Sequence, residues 1–152
     1  MITKLDTPSA DPRIASEREF QQFLRIEQRR AERSGRPLVV LTLRTTEPLE
    51  VAVASRSKEL LLKLLPASVR ETDLIGWSEV AGGFRILCTE TGTNHGDAAG
   101  LAIVRRLQDL LATSLPFGDI RFIQFSFESY PQTSASSEGR VLNAERQAAF
   151  AR

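Results

Sequence analysis

RETDLIGWSEVAGGFRILCTE, residues 70–90, is the stretch that organises the fold of this chain. Its pattern predicts a strand over Asp73–Glu79, a tight turn over Val80–Gly83 and a second strand over Phe84–Glu90. Gly82 and Gly83 lack a Cβ and tolerate the positive φ of a primed hairpin turn. On either side, Leu74, Ile75, Trp77, Phe84, Ile86, Leu87 and Cys88 are the apolar and aromatic types that suit a pleated, half-buried surface. Arg70 and Asp73 set a cation and an anion three residues apart at the mouth of the hairpin.

Working outward toward the N-terminus, a helix is predicted from about Val51 or Ser55 to near Val69. Leu60, Leu61, Leu64 and Leu65 form its apolar stripe, and Pro66 is expected to end or kink it. Pro48 marks a turn over Thr46–Glu50. Before it, PLVVLTLRT (Pro37–Thr45) is apolar almost without a break until Arg44, which predicts a first strand covered on both faces. An earlier helix is capped by Ser16, carries Glu17 and Glu19 where its dipole favours negative charge, and ends at Gly35. Phe20, Phe23, Leu24 and Glu27 share one side of it. RIEQRRAER within this helix is interrupted by Glu27 and Glu32, so it reads as a solvated face rather than a basic patch.

Toward the C-terminus, Thr91–Gly96 is a polar loop and Asp97 is placed to cap a helix that runs to about Ser114. Leu101, Ile103, Val104, Leu107, Leu110 and Leu111 give it a broad buried face. Pro116, Gly118 and Asp119 make a turn into a last strand, Ile120–Tyr130. There Ile123, Phe125 and Phe127 alternate with Gln124, Ser126 and Glu128, the signature of one buried and one polar face. Pro131 stops the strand. The expected organisation is a loose arm over 1–14, one domain over 15–131, and a polar linker with a short terminal helix (Val141–Arg152) over 132–152. The element order predicts an α+β fold, a mixed sheet with helices packed on it as an α/β sandwich.

Composition excludes more than it assigns. The 152 residues are enough for one domain with a real core, and 41% hydrophobic with 26% charged is ordinary for a globular protein. A net charge of +1 gives no global field for nucleic acid or an anionic membrane. No apolar run approaches the roughly 18 residues of a membrane span. The first residues lack an apolar core before a small-residue cleavage site, so no signal peptide is expected and a cytoplasmic location is. Cys88, the one cysteine, reads as a small buried hydrophobe, and His95, the one histidine, has no partner type for a zinc site. No metal or cofactor is expected. Neither a Ser-His-Asp arrangement nor a Gly-rich phosphate loop ahead of a helix is present, which ranks an enzyme of some unrelated kind last.

RIEQRRAERSGRPLVVLTL, RETDLIGW, GGFRILCTET, GDAAGLAIVRRLQDLL and IQFSFESYP follow one another as the successive pieces of a GGDEF domain do. Over roughly Glu19–Pro131 the chain resembles that family, the diguanylate cyclases, related to the nucleotide-cyclase palm. Three departures matter for activity. In the family, acidic side chains in the hairpin turn and at the end of the first strand hold the divalent cations that bring triphosphates together and activate a hydroxyl. Here the turn is Val80-Ala81-Gly82-Gly83-Phe84, with Glu79 one step short of it, and the first strand ends in Thr42, Arg44 and Thr46. Hard oxygen ligation cannot be built from these. The distance from the first strand to Arg70 is also short, which implies loss of the segment that binds guanine and phosphate.

What the resemblance leaves is a catalytically inactive domain with a retained RxxD element, Arg70 and Asp73, which in the family binds cyclic di-GMP. A guanidinium can address the O6 and N7 edge of guanine or hold a phosphate, and a carboxylate can accept from N1 and N2. Arg56, Lys58, Arg85 or an arginine of the third helix would add a second charge. The other reading of Arg70 and Asp73 is a local salt bridge at a helix-to-strand junction, worth about 0.2–1 kcal/mol if exposed. Trp77 likewise is a base-stacking platform or a core residue. The expected role is regulatory, in a bacterial signalling or exopolysaccharide system. The alternative is a scaffold that binds no nucleotide and pairs with itself or with another protein.

Overall fold

Two glycine and serine signals fix the first long helix, α1 (Glu17–Ser34). The Ser16 Oγ accepts from the Glu19 backbone N–H at 3.2 Å. Gly35 ends the helix with φ 73°, and its N–H donates to the Ala31 carbonyl at 2.8 Å. That left-handed conformation is cheap only without a Cβ. The computed structural model describes residues 14–45, 51–78, 83–91, 95–115, 120–131 and 140–143, with the backbone alone at 45, 51–58 and 140–143.

Around α1 the chain forms β1 (Ile14–Ala15), β2 (Leu38–Thr45), α2 (Val51–Ser68), β3 (Leu74–Ser78), β4 (Gly83–Cys88), α3 (Gly96–Ser114), β5 (Ile123–Tyr130) and β6 (Arg140–Asn143). The six strands form one sheet in the order β1-β3-β4-β2-β5-β6. The β1–β3 pair is parallel and the others are antiparallel. The predicted hairpin is β3–β4, in register from Leu74↔Leu87 to Ser78↔Gly83. The fold class is the expected mixed-sheet α+β sandwich.

β2 runs down the middle, paired with β4 on one side and β5 on the other. Val39, Leu41 and Leu43 face α2 and α3, in a core with Leu61, Leu65, Val104, Leu107 and Leu111. Leu38 and Val40 face α1, beneath Phe20, Leu24 and Ala31. That is why the first half of β2, Leu38–Leu41, is apolar without alternation. β5 is covered by helix on one face, with Ile123, Phe125 and Phe127 buried and Glu128 exposed, so it alternates. No helix among the described residues is long and apolar enough to cross a membrane.

Several expectations need correction. Gly83 is not a turn residue at positive φ. It opens β4, and a Cβ there would lie 2.0 Å from the Leu43 carbonyl oxygen, so close strand approach is what demands glycine. Asp97 does not cap α3. Residue His95 takes the cap position, while Asp97 sits in the first turn and accepts from the Ser129 hydroxyl at 3.0 Å. Phe23 and Leu110 are 48% and 42% exposed, because each lies at the edge of its helix's apolar arc, beyond the sheet. Ile120 belongs to a short 3-10 turn rather than the strand. Pro66 lies inside α2, which ends two residues later. Ile14, assigned to the arm, pairs with Ile75 as a strand, and residues 141–143 form β6 where a helix was expected to begin. Residues 1–13, the turns at 46–50, 79–82 and 116–119, loop residues 92–94, the linker 132–139 and residues 144–152 lie outside the described residues.

Gly100 faces the ring of Phe127, and a Cβ would stand 2.3 Å from Phe127 Cδ2. In an open helix Gly→Ala gains about 1 kcal/mol. Here overpacking against a buried ring prevails, so Gly100→Ala should lower stability by about 1–3 kcal/mol, read from the urea midpoint at unchanged slope. The Tyr130 hydroxyl donates to Glu128 Oε2 at 2.7 Å. Partial burial, then the bond to and charge of Glu128, push its pKa up to about 12. The fold thus favours the neutral phenol. That contribution to stability is complete below the unfolded value near 10 and is lost as pH rises through about 12. Tyr130 is the only tyrosine, so phenolate absorbance should titrate near 12 when folded and near 10 in denaturant.

Candidate functional site

At the C-terminus of α2 the chain turns sharply into β3, and this corner carries Arg70 and Asp73. The Asp73 N–H donates to the Arg70 carbonyl at 3.0 Å, and Asp73 Oδ2 accepts from the Arg70 N–H at 2.9 Å. The two bonds close a four-residue loop that fixes the carboxylate, which is 6% exposed. The Arg70 guanidinium reaches the other way. Its Nη1 donates to the Glu90 carbonyl at 2.8 Å, just beyond β4. Thr91, next in the chain, donates from its hydroxyl to the Pro37 carbonyl at 3.5 Å. The corner is therefore tied to the end of β4, and that end in turn to the start of β2.

Arg70, Asp73, Cys88, Glu90, Thr91, Ile103 and Arg106 line a small recess of about 30 Å³. That is room for about two or three waters, at the ~10–15 Å³ each requires. Arg106, exposed on α3, lines the recess together with Arg70, the buried Asp73 and Glu90, so two arginines and two acidic residues meet there. Such a set offers charge-assisted donors to an oxyanion or a purine edge. Cys88 forms part of the wall. Burial foremost, then the Asp73 charge, raise its thiol far above the ordinary range against the pull of Arg106 and Arg70. It is an inert wall residue, as its sequence context suggested.

Arg70 and Asp73 are brought together as expected. Arg106, one of the third-helix arginines, also lines the recess; its place three residues after Ile103 on α3 was the available signal. Arg85 stands on the opposite face of the sheet, and the side chains of Arg56 and Lys58 lie outside the described residues. Trp77 is no open platform. Its ring packs edge-on against Phe84 with centroids 4.9 Å apart and planes at 75°, half-buried against the main core.

The end of β2 is the other region of interest. Pairing sets Thr42 between Arg85 and Ser126, and Arg44 between Gly83 and Gln124. Cations and neutral groups occupy this part of the sheet. Among the described residues no cluster of three His, Cys, Asp or Glu is placed to hold a metal ion.

No family model and no curated protein matches the sequence. Solved structures do match the fold. The GGDEF domain of YfiN, also called TpbB, from Pseudomonas aeruginosa aligns over 80% of this chain and 75% of its own, with TM-score 0.60 and 17% identity. The diguanylate cyclase SiaD from the same organism, solved in complex with its activator SiaC, aligns over 85% of this chain with TM-score 0.57 and 17% identity. PelD, also from P. aeruginosa, aligns over 86% with TM-score 0.53 and 18% identity. The chain spans 54% of the SiaD chain and 44% of the PelD chain. Its fold is that of the GGDEF domains.

Proposed function

We propose that this domain is a catalytically inactive GGDEF-fold regulatory module that binds cyclic di-GMP at the Arg70–Asp73–Arg106 recess in a bacterial signalling or exopolysaccharide system. The observation that carries the ligand reading is the convergence of these three side chains from two separate elements on one opening. Arg106 is on α3, far from Arg70 in sequence, and no local salt bridge requires it there. The recess is much smaller than a dinucleotide, so the ligand lies across its rim. The guanidiniums address a guanine edge or phosphate, and the corner loop holds Asp73 in place.

Inactivity rests on the charge at the end of β2. Arg44 and Arg85 share the sheet face on which metal-dependent phosphoryl transfer would need carboxylates. A second reading, a protein-interaction or homodimer scaffold, draws on Phe23 and Ile26. These stand 48% and 47% exposed, three residues apart on α1.

Arg70 also holds the Glu90 carbonyl, so Arg70→Ala disturbs structure as well as binding. Arg106→Gln is the cleaner variant. Titration calorimetry should show saturable heat with cyclic di-GMP, weakened about tenfold to a hundredfold by Arg106→Gln, the loss of one charge-assisted bond at about 1.5–3 kcal/mol. No heat at high micromolar ligand would end the ligand reading. Incubated with GTP and magnesium or manganese, the protein should form no cyclic di-GMP by chromatography; steady accumulation would contradict inactivity.

A further inference from the structure

α1 carries more apolar surface than the sheet uses. Phe20, Leu24 and Ala31 are its buried residues, packed with Leu38, Val40 and Leu87. Phe23 and Ile26 stand 48% and 47% exposed on the flank of the helix beside them. Gln28, on the opposite flank, reaches the Tyr130 side chain on β5. The Phe23 flank therefore looks away from β5, toward the end of the sheet formed by β1, a strand of only two residues.

Phe23 and Ile26 belong to a longer row. Glu19, Phe23, Ile26, Arg30 and Arg33 follow one another at spacings of four, three, four and three residues, and all five are exposed. That is the spacing of a coiled-coil seam, which presents one continuous stripe to a partner helix. The charges on the stripe are sorted. Glu19 stands before its apolar centre, and Arg30 and Arg33 stand after it. The turns at the two ends of α1 follow the same order, with Glu17 and Glu19 in the first and Arg33 in the last.

We infer that this stripe is the interface of a homodimer in which two copies of α1 pack antiparallel, about a two-fold axis midway between Phe23 and Ile26. A two-fold interface must be complementary to itself, and this row is. Antiparallel pairing sets Phe23 on Ile26 of the partner subunit and Ile26 on the partner's Phe23. At each end it sets Glu19 against the partner's Arg30, with the partner's Arg33 one turn away. A parallel pair would instead put Glu19 on Glu19 and Arg30 on Arg30. Neither charged group is shut inside its own protomer. Arg30 pairs with Glu27 at 2.7 Å, yet its side chain is 71% exposed. Glu19 accepts from the Ser16 hydroxyl at 3.2 Å and is exposed. The 18 residues of α1 span about 27 Å. The seam is therefore small beside a standard interface, and the dimer is weak and reversible. This commits the scaffold reading to a second copy of the chain, and it does not rest on nucleotide binding at the recess, which lies across the sheet.

The test is sedimentation equilibrium of the full chain from low micromolar to near-millimolar concentration. The average mass is expected to rise from that of one chain toward that of two. F23Q/I26Q should weaken association at least about tenfold, because apolar burial at the centre is lost. E19R and R30E should each weaken it severalfold, because each sets like charges face to face at both ends. Mixing E19R with R30E should restore the association, since every facing pair is then opposite in charge. All four positions are exposed, so helical circular dichroism and the urea midpoint should stay near those of the unaltered chain. A single-chain mass at every concentration would overturn the interface, and the homodimer form of the scaffold reading with it. Association that F23Q/I26Q leaves at full strength, or that the E19R and R30E mixture fails to restore, would overturn this interface alone.

Discussion

Everything in this fold hangs on β2 being hydrogen-bonded along both edges and buried on both faces over its first half. Val39, Leu41 and Leu43 meet α2 and α3, while Leu38 and Val40 meet α1. Each fully buried aliphatic side chain contributes about 1.5–3 kcal/mol, and none of the five tolerates a polar replacement. The connections follow from this central position. β2 is followed by α2, which returns the chain to β3, and the hairpin then brings β4 against β2. α3 crosses back to deliver β5 to the other edge. Glycines serve that packing. Gly83 lets β4 approach the Leu43 carbonyl, Gly100 admits Phe127 beneath α3, and Gly76 makes room for Phe20.

The same constraint locates both polar regions. A corner between helix and strand has backbone groups that no ladder satisfies, so side chains must do so. Asp73 answers the Arg70 N–H and Arg70 answers the Glu90 carbonyl. The structural and binding readings of this pair are therefore not exclusive. The bonds that stiffen the corner also hold its charged groups in one arrangement, which lowers the ordering cost of binding. Arg106 adds a charge that the corner itself does not use.

At the other end of β2 the sheet leaves the cover of α1 and becomes polar. The change occurs within one strand, between Val40 and Thr42. Arginines at 44 and 85 give this surface the opposite charge to a carboxylate cradle for metal. The core faces and the exposed half-face of this GGDEF-type fold are set by alternate residues of the same strands, so the one can vary without the other.

The sequence by itself determined the types and order of the elements from α1 to β5, but not the edge strands β1 and β6. Unbroken apolarity in Pro37–Leu41, alternation in Ile123–Glu128, and the Ser16 and Gly35 caps are local signals, set by period and backbone sterics. It also singled out Arg70 and Asp73, since their three-residue spacing is local. Tertiary structure decided what depends on partners distant in the chain. It chose Arg106 among the arginines, made Gly83 a packing residue instead of a turn residue, engaged Asp97 with Ser129 instead of a helix cap, and left Phe23 and Leu110 in solvent. None of these has a local signature, because each is fixed by which strand or helix lies alongside, and that register is settled only when the whole sheet has closed on its core.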